Sequence, residues 1–155
     1  MNNYKKRAIS ALSASIAAFV VILILSLISL NNPFGYILAV SFGATMVLLF
    51  GYPNSSFAQP KNIFFGHLIT AASGVIFTYI TLPFALALAV SVSMGIFLMM
   101  IFNFVHPPAG GNPIAIILGG HSYDYLLITI ILGVILILIL GIIINRYIIK
   151  IRYPS

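Results

Sequence analysis

His106-Pro107-Pro108-Ala109-Gly110-Gly111-Asn112-Pro113 follows without a linker on an apolar run from Phe84 to Val105. Three prolines in the stretch lack an amide donor and two glycines lack a Cβ, so a continuous helix cannot pass through it. Beyond it only Ile114 to Gly120 is apolar before the polar His121-Ser122-Tyr123-Asp124. The pattern is a long membrane-type helix that feeds a short, broken one. Irregular backbone is not tolerated against lipid, so the break must be buried in protein or line a wet cavity.

Working outward, the rest of the chain is also apolar. Ala8 to Leu30 is long enough to cross a hydrocarbon core of about 30 Å and is closed by Asn31-Asn32-Pro33. The basic start and small residues around Ser13-Ala14-Ser15 look like a signal sequence, but the apolar core runs too far for one, so it is expected to stay as a spanning helix. Tyr36 to Gly51 is short for a span and is interrupted at Ser41-Phe42-Gly43-Ala44-Thr45, where glycine and small polar groups are expected to loosen the backbone. Tyr52 to Asn62 is the one sizeable polar loop. A further span runs from about Ile63 to Leu82, and Pro83 turns it into the Phe84 to Val105 span as an antiparallel hairpin studded with Gly66, Gly74, Ala87, Ser91 and Gly95. Tyr125 to about Ile149 is the last span. The fold expected is therefore an all-α polytopic membrane protein, a single transmembrane domain over 1–155, with four long transmembrane helices and two short broken segments that are re-entrant or half-helices.

With 62% apolar and 5% charged residues, the composition excludes an ordinary water-soluble domain. The net charge of +6 comes from seven Lys and Arg against the single acid Asp124. Lys5, Lys6 and Arg7 precede the first run, Lys61 lies in the polar loop, and Arg146, Lys150 and Arg152 close the last run. If both short segments count as passages, all of these fall on one side, which the positive-inside rule makes cytoplasmic. Both termini and the polar loop are thus expected on the cytoplasmic side of a cell membrane of bacterial or archaeal type. The clusters have no solvated basic face to belong to, which removes nucleic acid as a partner.

The same count gives two triplets of long, broken and long segments with opposite orientation, about 8–82 and 84–149. Superposing Gly43 on Gly110 also brings Gly66 onto Gly133 and Gly74 onto Gly141. That is the mark of a 3+3 inverted repeat, in which substrate sites lie where the broken helices meet.

The pathway residues expected on this basis are Gly43, Ala44 and Thr45 from the first break, and His106, Pro107, Pro108, Gly110, Gly111 and Asn112 from the second. Free helix ends there would offer backbone amides to a small anion or polar solute. His106 is an intramembrane titratable group, a functional candidate that could couple an anion to a proton. Lys61, His67 and His121 are secondary candidates, with His67 and His121 read as interfacial. Three histidines without ligand spacing and no cysteine give no metal site or cofactor, and the apolar spans lack the paired acid and base an enzyme needs.

At His106-Pro107-Pro108-Ala109-Gly110-Gly111 the sequence resembles the HPP family of small integral membrane proteins. The resemblance extends to Phe42-Gly43-Ala44-Thr45 through Leu48-Leu49-Phe50 and to Ser56-Phe57-Ala58-Gln59-Pro60-Lys61-Asn62 followed by Gly66-His67, and covers about 36–120. It departs at Asn112-Pro113, where members commonly carry Ala and Thr. The resemblance implies a protein usually described with four transmembrane helices. Plant plastid members are associated with nitrite transport, and some members carry an appended CBS module that residues 1–155 do not contain. The expectation is a transporter or channel for nitrite or a similar small anion. The alternative is a non-transporting membrane module for partner docking or ligand sensing, with Tyr52 to Asn62 as its contact surface. The small-residue helix faces also permit a homo-oligomer.

Overall fold

A computed structural model describes residues 2–31 and 37–155 and is helical throughout, with no strand among the described residues. The expected end of the first span at Asn32-Pro33 and the start of the next at Tyr36 lie outside them. Among the described residues six α-helices follow in order: α1 (Asn3–Leu30), α2 (Val40–Met46), α3 (Pro60–Thr78), α4 (Phe84–Ile101), α5 (Asn112–Gly119) and α6 (Gly133–Ile143). Wider π-helical turns extend α2 through Val47–Gly51 and flank α6 as Tyr125–Leu132 and Ile144–Ile148.

Three of these are long and apolar enough to cross a membrane: Asn3–Leu30, Phe84–Ile101 and the combined helix Tyr125–Ile148. α3 has 19 residues and comparable length. Lys61, Asn62, His67, Thr70 and Ser73 make it less apolar, and it packs against α4, α5 and α6. α1 presents Ala17, Val21, Leu25 and Ser29 inward at four-residue spacing and leaves Phe19, Leu23 and Leu27 exposed. A belt of exposed Phe84, Phe97, Met100, Leu118, Leu132 and Ile139 continues around the molecule, the surface expected of a protein solvated by lipid.

The hairpin forms as expected. α3 and α4 lie side by side, the Ser73 hydroxyl donates to the Ser91 carbonyl at 2.7 Å, and Gly95 rests on Thr70. The expected loosening at Ser41-Phe42-Gly43-Ala44-Thr45 does not occur. Those residues are regular α-helix, and the departure begins after them at Val47. Gly43 is exposed with open space where a side chain would stand, so its lack of a Cβ imposes no break.

The three basic segments gather at one end. Ser13 and Ile16 of α1 line a groove with Ile148 and Ile149, while the tail returns so that Tyr153 donates to the Ala58 carbonyl at 2.7 Å and the Ser155 amide to Gln59 Oε1 at 3.0 Å. Lys61 follows in the first turn of α3. At the other end, Leu38, Val40, Ala115, His121, Asp124 and Thr129 line a cleft of ≈ 520 Å³.

Candidate functional site

Between α2, α3 and the break that leads into α5 lies a cluster of polar side chains with no exposed surface to speak of. Thr45, His67, Thr70 and His106 are fully buried and Asn112 is 1% exposed. In an apolar interior such groups must be hydrogen-bonded. All of these are.

Each element supplies its members for a local reason. Ser41 and Thr45 are four apart on α2 and so share a face. His67 and Thr70 are one turn apart on α3, with the Thr70 hydroxyl returned to the Gly66 carbonyl at 2.8 Å. α4 stops at Ile101, where Asn103 takes a positive φ of 56°, and the chain then crosses α3 at Gly66. A Cβ on Gly66 would stand 2.7 Å from His106 Cβ and 3.0 Å from the Phe104 carbonyl oxygen, so only glycine lets the break lie this close. Asn62 donates to the Val105 carbonyl at 3.1 Å and ties the same crossing to the start of α3. Pro107–Gly111 then makes a tight 3-10 turn, and Asn112 opens α5.

The hydrogen bonds have a definite polarity. Phe57 offers a carbonyl oxygen 2.7 Å from His106 Nδ1, so that nitrogen carries the proton and Nε2 is left as an acceptor in the neutral ring. Asn112 Nδ2 lies 3.3 Å from the His67 carbonyl oxygen and 3.0 Å from Thr70 Oγ1, which fixes the amide with nitrogen toward α3. It therefore donates to His67 Nδ1 at 3.0 Å, and His67 bears its proton on Nε2. Asn112 Oδ1 accepts from the Ser41 hydroxyl at 2.6 Å. Thr45 Oγ1 stands between the two rings, 3.0 Å from each Nε2, and 3.1 Å from the Ser41 carbonyl. The imidazole centroids are 5.0 Å apart, and Phe42 packs edge-on to His67 at 5.3 Å.

Of the residues expected from the sequence, Thr45, His106 and Asn112 meet here. His67 joins them, and reading it as interfacial is corrected: Phe42 and Thr45 of α2, His106 of the break and Asn112 of α5 close over this face of α3, so the ring is already buried six residues past Lys61. Ala44 and Gly43 face outward, Gly110 and Gly111 have nothing within 4 Å of a built Cβ, and Pro107 and Pro108 shape the turn without entering the network. The inward-pointing ends expected at the glycines are instead inward-pointing side chains. Lys61 is exposed at the start of α3, and His121 stacks on Tyr125 at 4.2 Å in the far cleft, so neither touches the cluster. Ser41, Thr70 and the Phe57 carbonyl were not singled out in the sequence. The four-residue spacing of Ser41 and Thr45 is a signal that could have found the first, whereas a backbone carbonyl carries none. Among the described residues no group of three His, Cys, Asp or Glu side chains could hold a metal ion.

The family model of the HPP transmembrane region matches residues 3–154. The chain belongs to the HPP transmembrane-region family. Two transmembrane proteins of Dictyostelium discoideum are similar to it. One is 31% identical over 150 residues, covering 90% of this chain and 53% of the relative, and the other is 30% identical over 122 residues, covering 74% and 39%. The HPP chain thus spans about half or less of the length of these curated relatives. No solved structure matches it. The tripeptide His106-Pro107-Pro108 lies at the crossing of Gly66, where its histidine enters the buried network and its prolines end the extended segment.

Proposed function

We propose that this HPP-family chain is a membrane transporter or channel for a small monovalent anion, nitrite or one similar to it, with the His67–Thr45–His106 bridge as the closed constriction of its pathway. The observation that carries the reading is the direct meeting of the two broken segments: Ser41 and Thr45 of the first bond Asn112 and His106 of the second, with His67 of α3 between them. Polar and titratable groups at membrane depth are costly and mark pathways. Neutral donors suit a partly desolvated anion, and the lack of any carboxylate in the cluster disfavours a metal cation.

The inverted repeat belongs to the same proposal, with four spanning helices in the count because α3 crosses as the partner of α6. Its support is at the level of contacts. Gly74 is closed in by Pro113 and Ile116, and Gly141 by Leu49. When Gly43 is set on Gly110, Gly74 falls on Gly141 and Leu49 on Ile116, so these are one contact met twice. Gly66 under His106 likewise pairs with Gly133 under Phe42 and the Ile37 carbonyl, which bracket the position equivalent to His106. Each broken segment rests on the third helix of the opposite triplet, as a two-fold axis in the membrane plane requires. The positive-inside rule assigns the basic end, with both termini, to the cytoplasm.

The alternative, a docking or sensing module, is favoured by one observation: Tyr52 and Phe57 are 65% and 41% exposed on the loop at the basic end, over a sealed interior. Nitrite uptake by proteoliposomes, compared with nitrate, formate and chloride and with His106→Ala alongside, separates the two. Selective uptake that falls in the variant supports the pathway. Uptake no greater than in empty vesicles, from protein shown to be folded, gives the docking module first place.

A further inference from the structure

Thr45 has one proton and two acceptors within reach. In the neutral cluster His67 Nε2–H donates to Thr45 Oγ1, and the threonine hydroxyl can donate to His106 Nε2 at 3.0 Å or to the Ser41 carbonyl at 3.1 Å. The second choice lets His106 be doubly protonated. A proton arriving on His106 Nε2 forms a new N–H that donates to Thr45 Oγ1, while the threonine hydroxyl turns about its Cβ–Oγ bond to the Ser41 carbonyl. Nδ1–H keeps Phe57 as its acceptor. Every polar atom of the bridge is then satisfied in both states, and no heavy atom has moved.

The geometry points to His106 as the proton carrier of the transport cycle and Thr45 as the hydroxyl switch that lets it load and unload, so that one proton moves with each anion. This rests on the transport reading above. A buried cation is costly unless an opposite charge accompanies it. The titratable group that faces His106 from α3 is His67, with rings 5.0 Å apart, and α2 presents only Thr45. Lys61 is exposed at the start of α3, and Tyr153 stands behind the loop on Ala58. Asp124, the single acid of the sequence, lies in the far cleft. No protein carboxylate is there to hold an imidazolium. The anion itself is the counter-charge, which makes loading of the proton and of the anion mutually dependent. The proton comes from water on the entry side and leaves Nε2 to water on the other, and nothing is oxidised or reduced.

The test uses the full chain in proteoliposomes loaded with a pH-reporting dye. Nitrite added outside with an inward proton gradient is expected to accumulate above its equilibrium level and to acidify the lumen beyond empty vesicles. Thr45→Val, which keeps the shape and removes the switch, is expected to lower gradient-driven accumulation on the order of tenfold, and Thr45→Ser to restore it. In parallel, 15N NMR of imidazole-labelled protein in bilayers, with His106 assigned by its loss in His106→Gln, is expected to show a neutral Nδ1–H ring that becomes doubly protonated on adding nitrite. Selective nitrite flux that ignores the proton gradient and is unchanged in Thr45→Val would overturn the coupling and leave the transporter standing. No flux above empty vesicles from protein with folded spectra would overturn both, and an His106 ring whose protonation does not respond to nitrite would overturn the coupling by itself.

Discussion

The two broken segments do the same work with different backbones. The first, α2 and its π-helical continuation, is a regular helix through Gly43, and it reaches the centre by the four-residue spacing of Ser41 and Thr45. The second bends through Pro107–Gly111 and reaches the centre from both sides of that turn, with His106 before it and Asn112 after it. Glycines inside the breaks face open space, whereas Gly66, Gly74, Gly133 and Gly141 on the supporting helices are closed in by the breaks themselves. The comparison teaches that these segments are defined less by their own flexibility than by the notches cut for them in α3 and α6.

Breaking a notch should have the largest effect. Gly66→Val puts a branched side chain into His106 Cβ and the Phe104 carbonyl, and is expected to cost about 3 kcal/mol or more of stability, read as a lowered Tm in micelles. The hub of the network comes next. Asn112→Ala leaves the Ser41 hydroxyl and His67 Nδ1 without their partners in a buried site, an expected loss of about 2 kcal/mol with flux falling alongside.

A smaller effect is expected at the tail. Tyr153→Phe removes a single hydrogen bond to Ala58, worth about 1 kcal/mol. Burial pushes the Tyr153 phenol above the ordinary tyrosine range. The folded protein therefore holds this proton at a pH where the unfolded chain has released it, and the stabilisation is present below the unfolded tyrosine pKa and lost as pH rises through and above it. Alkaline melting curves of parent and Tyr153→Phe should converge. At the small end, Gly43→Ala and Gly110→Ala meet nothing within 4 Å and should shift stability by less than about 0.5 kcal/mol. A loss at Gly43→Ala as large as that at Gly66 would contradict the contrast between the two kinds of glycine.

Much of this was legible in the sequence. The hydropathy runs gave the order of helices, Pro83 the hairpin, and the prolines after His106 the break, because each acts through local backbone chemistry. His106 is readable as a titratable group at membrane depth, whereas Thr45 and Asn112 stand in the sequence only among the backbone amides expected at free helix ends. Asn112 proved to be the residue that joins Ser41, His67 and Thr70. The sequence places His67 at the interface because its short distance from Lys61 along the chain reads as shallow depth, and that holds only if this face of α3 is bare. Here Phe42 and Thr45 of α2 and His106 of the break cover it. Gly43 and Gly111 were overrated for a related reason: a sequence shows that a Cβ is missing but not which way it would have pointed.

His67 and His121 stand level as candidates in the sequence, and the fold separates them, one in the buried bridge and one stacked on Tyr125 in the far cleft. Nitrite flux through His67→Ala and His121→Ala, reconstituted at equal density and compared with the parent protein, therefore tests the central claim most directly. The account predicts a loss on the order of tenfold or more for His67→Ala, whose ring bridges Asn112 to Thr45, and flux within about twofold of the parent for His121→Ala. Equal flux through both variants, or a loss confined to His121→Ala, would contradict it.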